Sequence, residues 1–315
     1  MYSQQRYILM TLDPVHVGTG GYRLGRVDLS IAREPGTNLP KIPGTTLAGA
    51  ARSYAATRYG TLRCAGQGQG DERRGRQGHC ADARCPVCYT FGYLADAEGG
   101  SAGRVSIADA QLLLFPVHSL AGPVWLSTCD RLAEAGFQLA GPQPSDEEVA
   151  VSLSGRQDGR PFNVGWLLLR SRGGVEVSAP ASLEWRPEQR QAWEAVRGRV
   201  ALVTTRVFGH VVNSNLEVRT SVSIDPQIGA AKKEALFTYE ALPRATWLWC
   251  DVVEDDYRPG AFPADQAKAR GLDHTRPLDV VKAGLDLAEY LGVGGMGTRG
   301  FGRIRWMAKG VISRA

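Results

Sequence analysis

Asp28 stands as the one carboxylate in the short strand-like run RVDLSIAR, at the head of the stretch Gly25–Arg52, GRVDLSIAREPGTNLPKIPGTTLAGAAR. A carboxylate free of local partners can hold a divalent cation or take a proton from a reacting group. The segment that follows is read as a turn at Glu34-Pro35-Gly36-Thr37-Asn38, because proline presets φ and glycine and asparagine tolerate positive φ. Pro43-Gly44-Thr45-Thr46 then reads as the start of a helix, with the hydroxyl of Thr45 or Thr46 available as a cap. Such a start suits an anion, since several amides converge there and the helix dipole favours negative charge. His16 lies in a glycine loop, HVGTGGYRLG, just before the Asp28 segment.

A second chemistry is carried by cysteine. Cys85 and Cys88 form a C-x-x-C, Cys80 precedes Cys85 by five positions, and Cys64 lies upstream of a polar loop rich in glycine and arginine. Four soft ligands in two clusters suit tetrahedral Zn²⁺, and a site closed by four protein ligands is structural. Zinc would order a loop with too little apolar sequence to order itself. His79, beside Cys80, can replace one of the sulfurs. A catalytic zinc centre would instead need an open coordination position.

A third candidate is GVGGMGTRGFGRIRW, where glycines let a backbone approach a ligand closely and Thr298 and Arg299 can meet phosphate oxygens. It lacks the Gly-Lys-Ser/Thr ending of a phosphate-binding NTPase loop. Its glycines follow a helix and precede a strand, the reverse of a dinucleotide fingerprint. The order helix, glycine loop, strand and basic tail suits an RNA backbone better than a mononucleotide.

The elements that must position these residues follow from pattern. Residues 5–13 and 26–33 read as strands, Thr45–Tyr59 as an alanine-rich helix stopped by Gly60, and Pro187–Arg199 as a charged helix. Two alternating arms flank Asp225-Pro226-Gln227-Ile228-Gly229 within 216–240, a hairpin signal. Its Arg219, Lys232 and Lys233 either protect a solvated edge or contact RNA. Leu278, Val281, Leu285, Ala288 and Leu291 share one face of a helix beginning at Pro277. Residues 141–182, rich in glycine, proline and serine with scattered apolar patches, read as an insertion whose structure the pattern does not define.

With 315 residues and 43% hydrophobic content the chain can bury a large core. A formal charge of +5 does not by itself announce nucleic acid, although the last 25 residues carry five basic side chains and no acid. Six cysteines without a secretory start point to metal or free thiols, a cytoplasmic location and no membrane partner. Cys129 and Cys250, in apolar surroundings, read as inert core thiols.

Taken together, HVGTG, GRVDLSIARE…LPKIPGTTLAGAAR, FPVHSLAG and GVGGMGTRGFGRI resemble the RAMP superfamily of CRISPR proteins, most of all the backbone subunit of Cmr-type (type III-B) effector complexes. The C-x-x-C-x-x-F-G of Cys85–Gly92 looks like the zinc-bearing segment of Csm-type relatives. The resemblance implies an α+β fold: a single RAMP domain over 1–315 with an RRM-like (ferredoxin-like) core, an inserted zinc loop at 64–92 and a projecting thumb hairpin at about 206–243. It implies copies stacked along a CRISPR RNA (crRNA) with other type III subunits, and an endoribonuclease that cuts paired target RNA at regular intervals. The family's functional aspartate maps onto Asp28, and a divalent cation such as Mg²⁺ would assist. The family's phosphate-contacting segment maps onto Pro43–Arg52, with Ala48 where a lysine is usual. The RNA-binding residues so expected are His16, Thr45, Thr46, Arg52, Arg219, Gly295, Met296, Gly297, Thr298, Arg299 and Gly300. The competing reading is a scaffold that binds crRNA without cutting.

Overall fold

The computed structural model describes residues 2–20, 27–66, 78–80, 82–94, 100–153, 158–255, 257 and 260–311, apart from the side chains of 231–235. Gly25, Arg26 and the side chains of Lys232 and Lys233 lie outside the described residues.

The strand Tyr2–Thr11 is the middle of the molecule. It pairs antiparallel with Trp247–Asp255 on one side and with Ile304–Gly310 on the other. Trp247–Asp255 in turn pairs antiparallel with Gln111–Val117. The helices Gly44–Arg58 and Pro277–Leu291 lie against each other on one face. Their small residues have a purpose, because a side chain on Gly284 would collide with the backbone of Ala51. Both faces of this sheet are covered. Tyr7 and Leu9 pack under the helices, while Ile8 points the other way into a cluster with Trp193, Trp247 and Met307.

Leu278, Val281, Leu285 and Ala288 are buried as their spacing predicts, but Leu291 is exposed at the helix end. Gly60, at φ +63°, lies just beyond the Gly44–Arg58 helix, where a left-handed residue stops it. Two local expectations fail. The helix is flanked by Pro43 with no side-chain cap; the Gly44 amide instead donates to the Asp109 carboxylate at 2.7 Å. Residues 27–33 form no regular strand, only isolated bridges at Leu29, Ile31 and Arg33 with Tyr239, Gly18 and Pro40. Each neighbour comes from a different segment, so no ladder can propagate.

The 141–182 region is not patternless. Glu148–Val151, Pro161–Val164 and Leu167–Arg172 extend the main sheet through Val124–Ser127 and Val200–Leu202. Pro187–Arg197 is a helix. After the helix Thr205–Ser214, the strands Glu217–Ile224 and Ala231–Ala241 form a separate two-stranded hairpin. Its turn is closed by Asp225, whose amide donates to the Ala230 carbonyl and whose carboxylate accepts from the Gln227 amide. Val218, Val222, Ile224, Ile228 and Leu236 leave the hairpin with exposed apolar side chains. Among the described residues no helix is long and apolar enough to cross a membrane.

Candidate functional site

Asp28, the hairpin base and the glycine loop come together although they are distant in sequence. The amide of Thr238 donates to Asp28 Oδ2 at 2.6 Å and its hydroxyl donates to the same oxygen at 2.8 Å. The Asp28 amide donates back to Thr238 Oγ1 at 3.1 Å, and the Leu29 amide donates to the Thr238 carbonyl. Asp28 is nevertheless exposed, and both Thr238 bonds fall on Oδ2. The backbone and hydroxyl bonds from Thr238 hold its carboxyl below the ordinary carboxylate range, so it is ionised at neutral pH.

Two positions further along the same strand, Glu240 accepts from the Ile31 amide at 2.9 Å and pairs with Arg33 at 2.6 Å. Arg33 also reaches Asn213 of the helix before the hairpin. The irregular Asp28 segment is thus fixed by side chains of the hairpin strand instead of by a ladder. Phe237 and Tyr239 alternate onto the other face and meet the glycine loop. The Tyr239 ring contacts Phe301 edge-on, and the Arg299 guanidinium lies over Phe237.

In the glycine loop, Met296 and Gly300 both adopt left-handed backbone around a short 3₁₀ turn, Gly297–Arg299. Gly295, Gly297, Thr298, Arg299 and Gly300 are exposed. Some of the glycines serve packing: a side chain on Gly294 would collide with the His16 carbonyl, and one on Gly302 would come within 2.5 Å of the Val293 carbonyl. Gly297 and Gly300 face open space.

Three of the expected RNA-contacting residues have partners within the protein. His16 is buried, with Nδ1 2.7 Å from the Glu240 carbonyl, and its own carbonyl accepts from the Gly295 amide. It supports the loop from beneath. Arg52 turns inward and donates to the carbonyls of Cys64 and Phe91. Arg219 pairs with Glu217 and lies over the Phe301 ring. Thr45 is exposed and Thr46 half-buried at a helix start whose Gly44 amide is already taken by Asp109, itself paired with Lys41.

The four expected cysteines do converge. Their sulfurs all lie within 4.8 Å of one another, with Cys80 and Cys88 at 3.5 Å and Cys64 and Cys85 at 3.9 Å. A tetrahedral zinc with Zn–S near 2.3 Å requires sulfurs about 3.8 Å apart. Cys64 ends a short turn, Cys85 precedes the helix Pro86–Phe91 and Cys88 lies within it. Hydrogen bonds from Cys85 and Cys88 hold the Cys64 thiol low, while the bond to Cys64 pushes Cys85 up to about 12. A cation would release that competition, since each thiolate could then bind metal. The donor set fits zinc. His79 is outside it: Nδ1 accepts from the Leu94 amide at 3.4 Å.

Thr238, Glu240, Arg33, Phe237, Phe301 and Asp109 were not singled out in the sequence. The alternation of Phe237 and Tyr239 against Thr238 and Glu240 is visible there, but nothing local ties it to Asp28.

This fold and these segments define a protein class. Residues 8–305 match the RAMP superfamily, and the chain belongs to it. It is a Cmr4-like member with a four-cysteine cluster. It is 26% identical over 319 residues to the CRISPR system Cmr endoribonuclease Cmr4 of Pyrococcus furiosus, covering 97% of this chain and 95% of that one. A chain in the cryo-EM structure of the type III-B Cmr-beta complex bound to cognate target RNA superposes with a TM-score of 0.63 at 12% identity, over 97% of this chain and 96% of that one. The crystal structure of oligomeric Cmr4 from Pyrococcus furiosus gives 0.55 at 19% identity, over 98% and 99%. Both likenesses establish a mixed α+β fold of Cmr4 type.

Proposed function

We propose that this chain is a backbone subunit of a type III CRISPR effector complex, with Asp28 acting in the cleavage of target RNA. The observation that carries the reading is an exposed, ionised carboxylate pinned by Thr238 on one face of a two-stranded hairpin whose other face meets a glycine loop bearing Arg299. The relative that supports it is named as an endoribonuclease, and other relatives are found with target RNA or as oligomers.

In this reading the whole chain is one RAMP domain with a ferredoxin-like core, supported by the antiparallel order of Ile304–Gly310, Tyr2–Thr11, Trp247–Asp255 and Gln111–Val117. The Glu217–Ala241 hairpin is its thumb, and the exposed apolar side chains suit a wedge against stacked bases. Gly295–Gly300 and the surface near Thr45 and Thr46 follow the crRNA backbone, while base pairing supplies sequence choice. Copies stack along the guide with other type III subunits.

The nucleophile is the target's own 2′-hydroxyl, which attacks the adjacent phosphorus as its proton passes to water; the P–O5′ bond breaks, leaving a 2′,3′-cyclic phosphate and a 5′-oxygen that takes up a proton from water. A regular A-form duplex keeps that hydroxyl out of line with the leaving oxygen, and a splayed nucleotide brings it into line. With both Thr238 bonds falling on Oδ2, Asp28 offers Oδ1 as an oxygen ligand for a divalent cation or as a proton acceptor. Mg²⁺ is commonly held by one or two carboxylates, substrate phosphate and water. Such an ion would stabilise the charge developing on the phosphorane oxygens.

The test is Asp28→Asn in the reconstituted complex. Cleavage of guide-complementary RNA should be lost while RNA affinity is kept. Undiminished cleavage would leave the chain a scaffold.

A further inference from the structure

We infer that Thr238 is a positioning residue for Asp28, its hydroxyl fixing both the backbone and the carboxylate of that one residue. The inference rests on the reading of Asp28 as the cleavage residue and goes beyond it, because it assigns part of the site to the hairpin strand itself.

An exposed aspartate ordinarily samples several rotamers, and holding one of them requires bonds that outweigh the lost entropy. Thr238 supplies those bonds from both sides. Its hydroxyl accepts from the Asp28 amide at 3.1 Å and donates to Oδ2 at 2.8 Å, while its amide donates to Oδ2 at 2.6 Å. One carboxylate oxygen is thereby closed to RNA, and Oδ1 is left to meet it. The Thr238 backbone reinforces the arrangement, since its carbonyl accepts from the Leu29 amide.

Thr238 is not needed for the hairpin in the same way. Opposite it in register stands Thr220, and the next pair on that face is Val222 with Leu236, so an apolar β-branched residue suits the position. Glu240 and Arg33 anchor the Asp28 segment independently, through the Ile31 amide. Removing the hydroxyl therefore loosens the carboxylate, which keeps only the bond from the Thr238 amide, without releasing the segment. A reaction that depends on in-line geometry is sensitive to such loosening.

The experiment compares Thr238→Val with Thr238→Ser in the assembled, guide-loaded complex. Single-turnover cleavage at saturating target RNA is measured together with target affinity and thermal midpoint. Valine keeps the shape and the backbone bonds but loses the hydroxyl, and should slow the cleavage step by about 10- to 100-fold, the usual range for a supporting partner of a functional ligand. Affinity and midpoint should stay near wild type, and serine should restore most of the rate. A valine variant that cuts at the wild-type rate overturns the inference, as does a loss of rate that merely follows lost affinity or stability. Serine performing no better than valine overturns it too. Asp28→Asn run alongside separates the two levels. If it still cleaves, the reading of Asp28 fails; if it is inactive while valine is fully active, only the role of Thr238 fails.

Discussion

The guanidinium of Arg299 lies over the ring of Phe237, 5.5 Å from its centroid, so the glycine loop and the hairpin base meet through a cation and an aromatic face. Arg299 is exposed on its other side and has no carboxylate partner among the described residues. In the proposed reading it meets phosphate. Arg299→Ala should weaken guide-RNA binding for all sequences alike and reduce the salt dependence of log K by a slope of about 1. Binding titrations at several salt concentrations check this, and an unchanged slope would remove Arg299 from the interface.

Two glycines of the same loop separate packing from ligand approach. Gly294 has φ +81° and abuts the His16 carbonyl, so alanine there carries a backbone cost of about 1–2 kcal/mol before any clash. Gly297 faces open space at ordinary φ. Gly294→Ala should lower the thermal midpoint and RNA affinity together. Gly297→Ala should keep the midpoint and lower affinity alone, if RNA backbone passes close to the loop. Equal RNA affinity for Gly297→Ala and wild type would mean that this glycine serves the turn only.

The elements with local signals were legible in the sequence. The hairpin turn at Asp225–Gly229, the stop at Gly60 and the convergence of Cys64, Cys80, Cys85 and Cys88 each follow from residue types at short spacing. What failed depended on distant partners. The amide at the Gly44 helix start is bonded by Asp109, far along the chain, so the neighbouring threonines gave a plausible but wrong cap. Residues 26–33 have strand composition, yet the hydrogen bonds of 27–33 go to Thr238 and Glu240 side chains and to scattered single residues. The same limit hid Thr238, whose importance exists only once Asp28 is beside it. Arg52 read as a phosphate ligand because its motif did, while its actual acceptors are carbonyls of the cysteine lobe.

Arg52 accordingly yields an outcome opposite to an RNA contact. Its Nε donates to the Cys64 carbonyl at 2.7 Å, holding the turn that presents Cys64. Arg52→Ala should destabilise by about 1.5–3 kcal/mol, a typical effect for hydrogen bonds made by a charged group. It should also ease metal loss, with guide affinity unchanged at saturating zinc. Denaturant melts and metal content after dialysis measure the effect. A pure affinity loss would restore Arg52 to the RNA surface.

Asp13 and Arg303 tie the end of the first strand to the end of the glycine loop, with Nε to Oδ2 at 2.5 Å. The hydrogen bond from Arg303 holds the Asp13 carboxyl below its ordinary value. A folded-state pKa below the unfolded one contributes stability that is present above the unfolded value, about 3.9, and lost as pH falls through the folded value. Asp13→Asn should therefore lower the melting midpoint at pH 7 and have little effect once both states are protonated at low pH. The gap between wild-type and variant midpoints should also shrink with added salt, since Arg303 is half-exposed and its pair is screened.

The cysteine cluster gives the last test. Sulfurs gathered within 4.8 Å of one another would need little rearrangement of the turn at Leu62–Cys64 or the helix Pro86–Phe91 to hold zinc. X-ray absorption should report four sulfurs at about 2.3 Å and no nitrogen, because His79 is outside the group. Cys88→Ser should lower zinc content, and chelation of the wild type should lower the thermal midpoint, with exchange protection lost over 62–66 and 82–94 and kept in the central sheet. The sheet has its own core on both faces, built from Tyr7, Leu9 and Ile8 outward, and does not draw on the metal. Asp28 is fixed by Thr238 of the separate hairpin, not by the cysteine cluster, so partial zinc loss should leave the intrinsic cleavage rate of surviving complexes unchanged. A rate that falls in proportion to zinc would instead make the cluster part of the reaction.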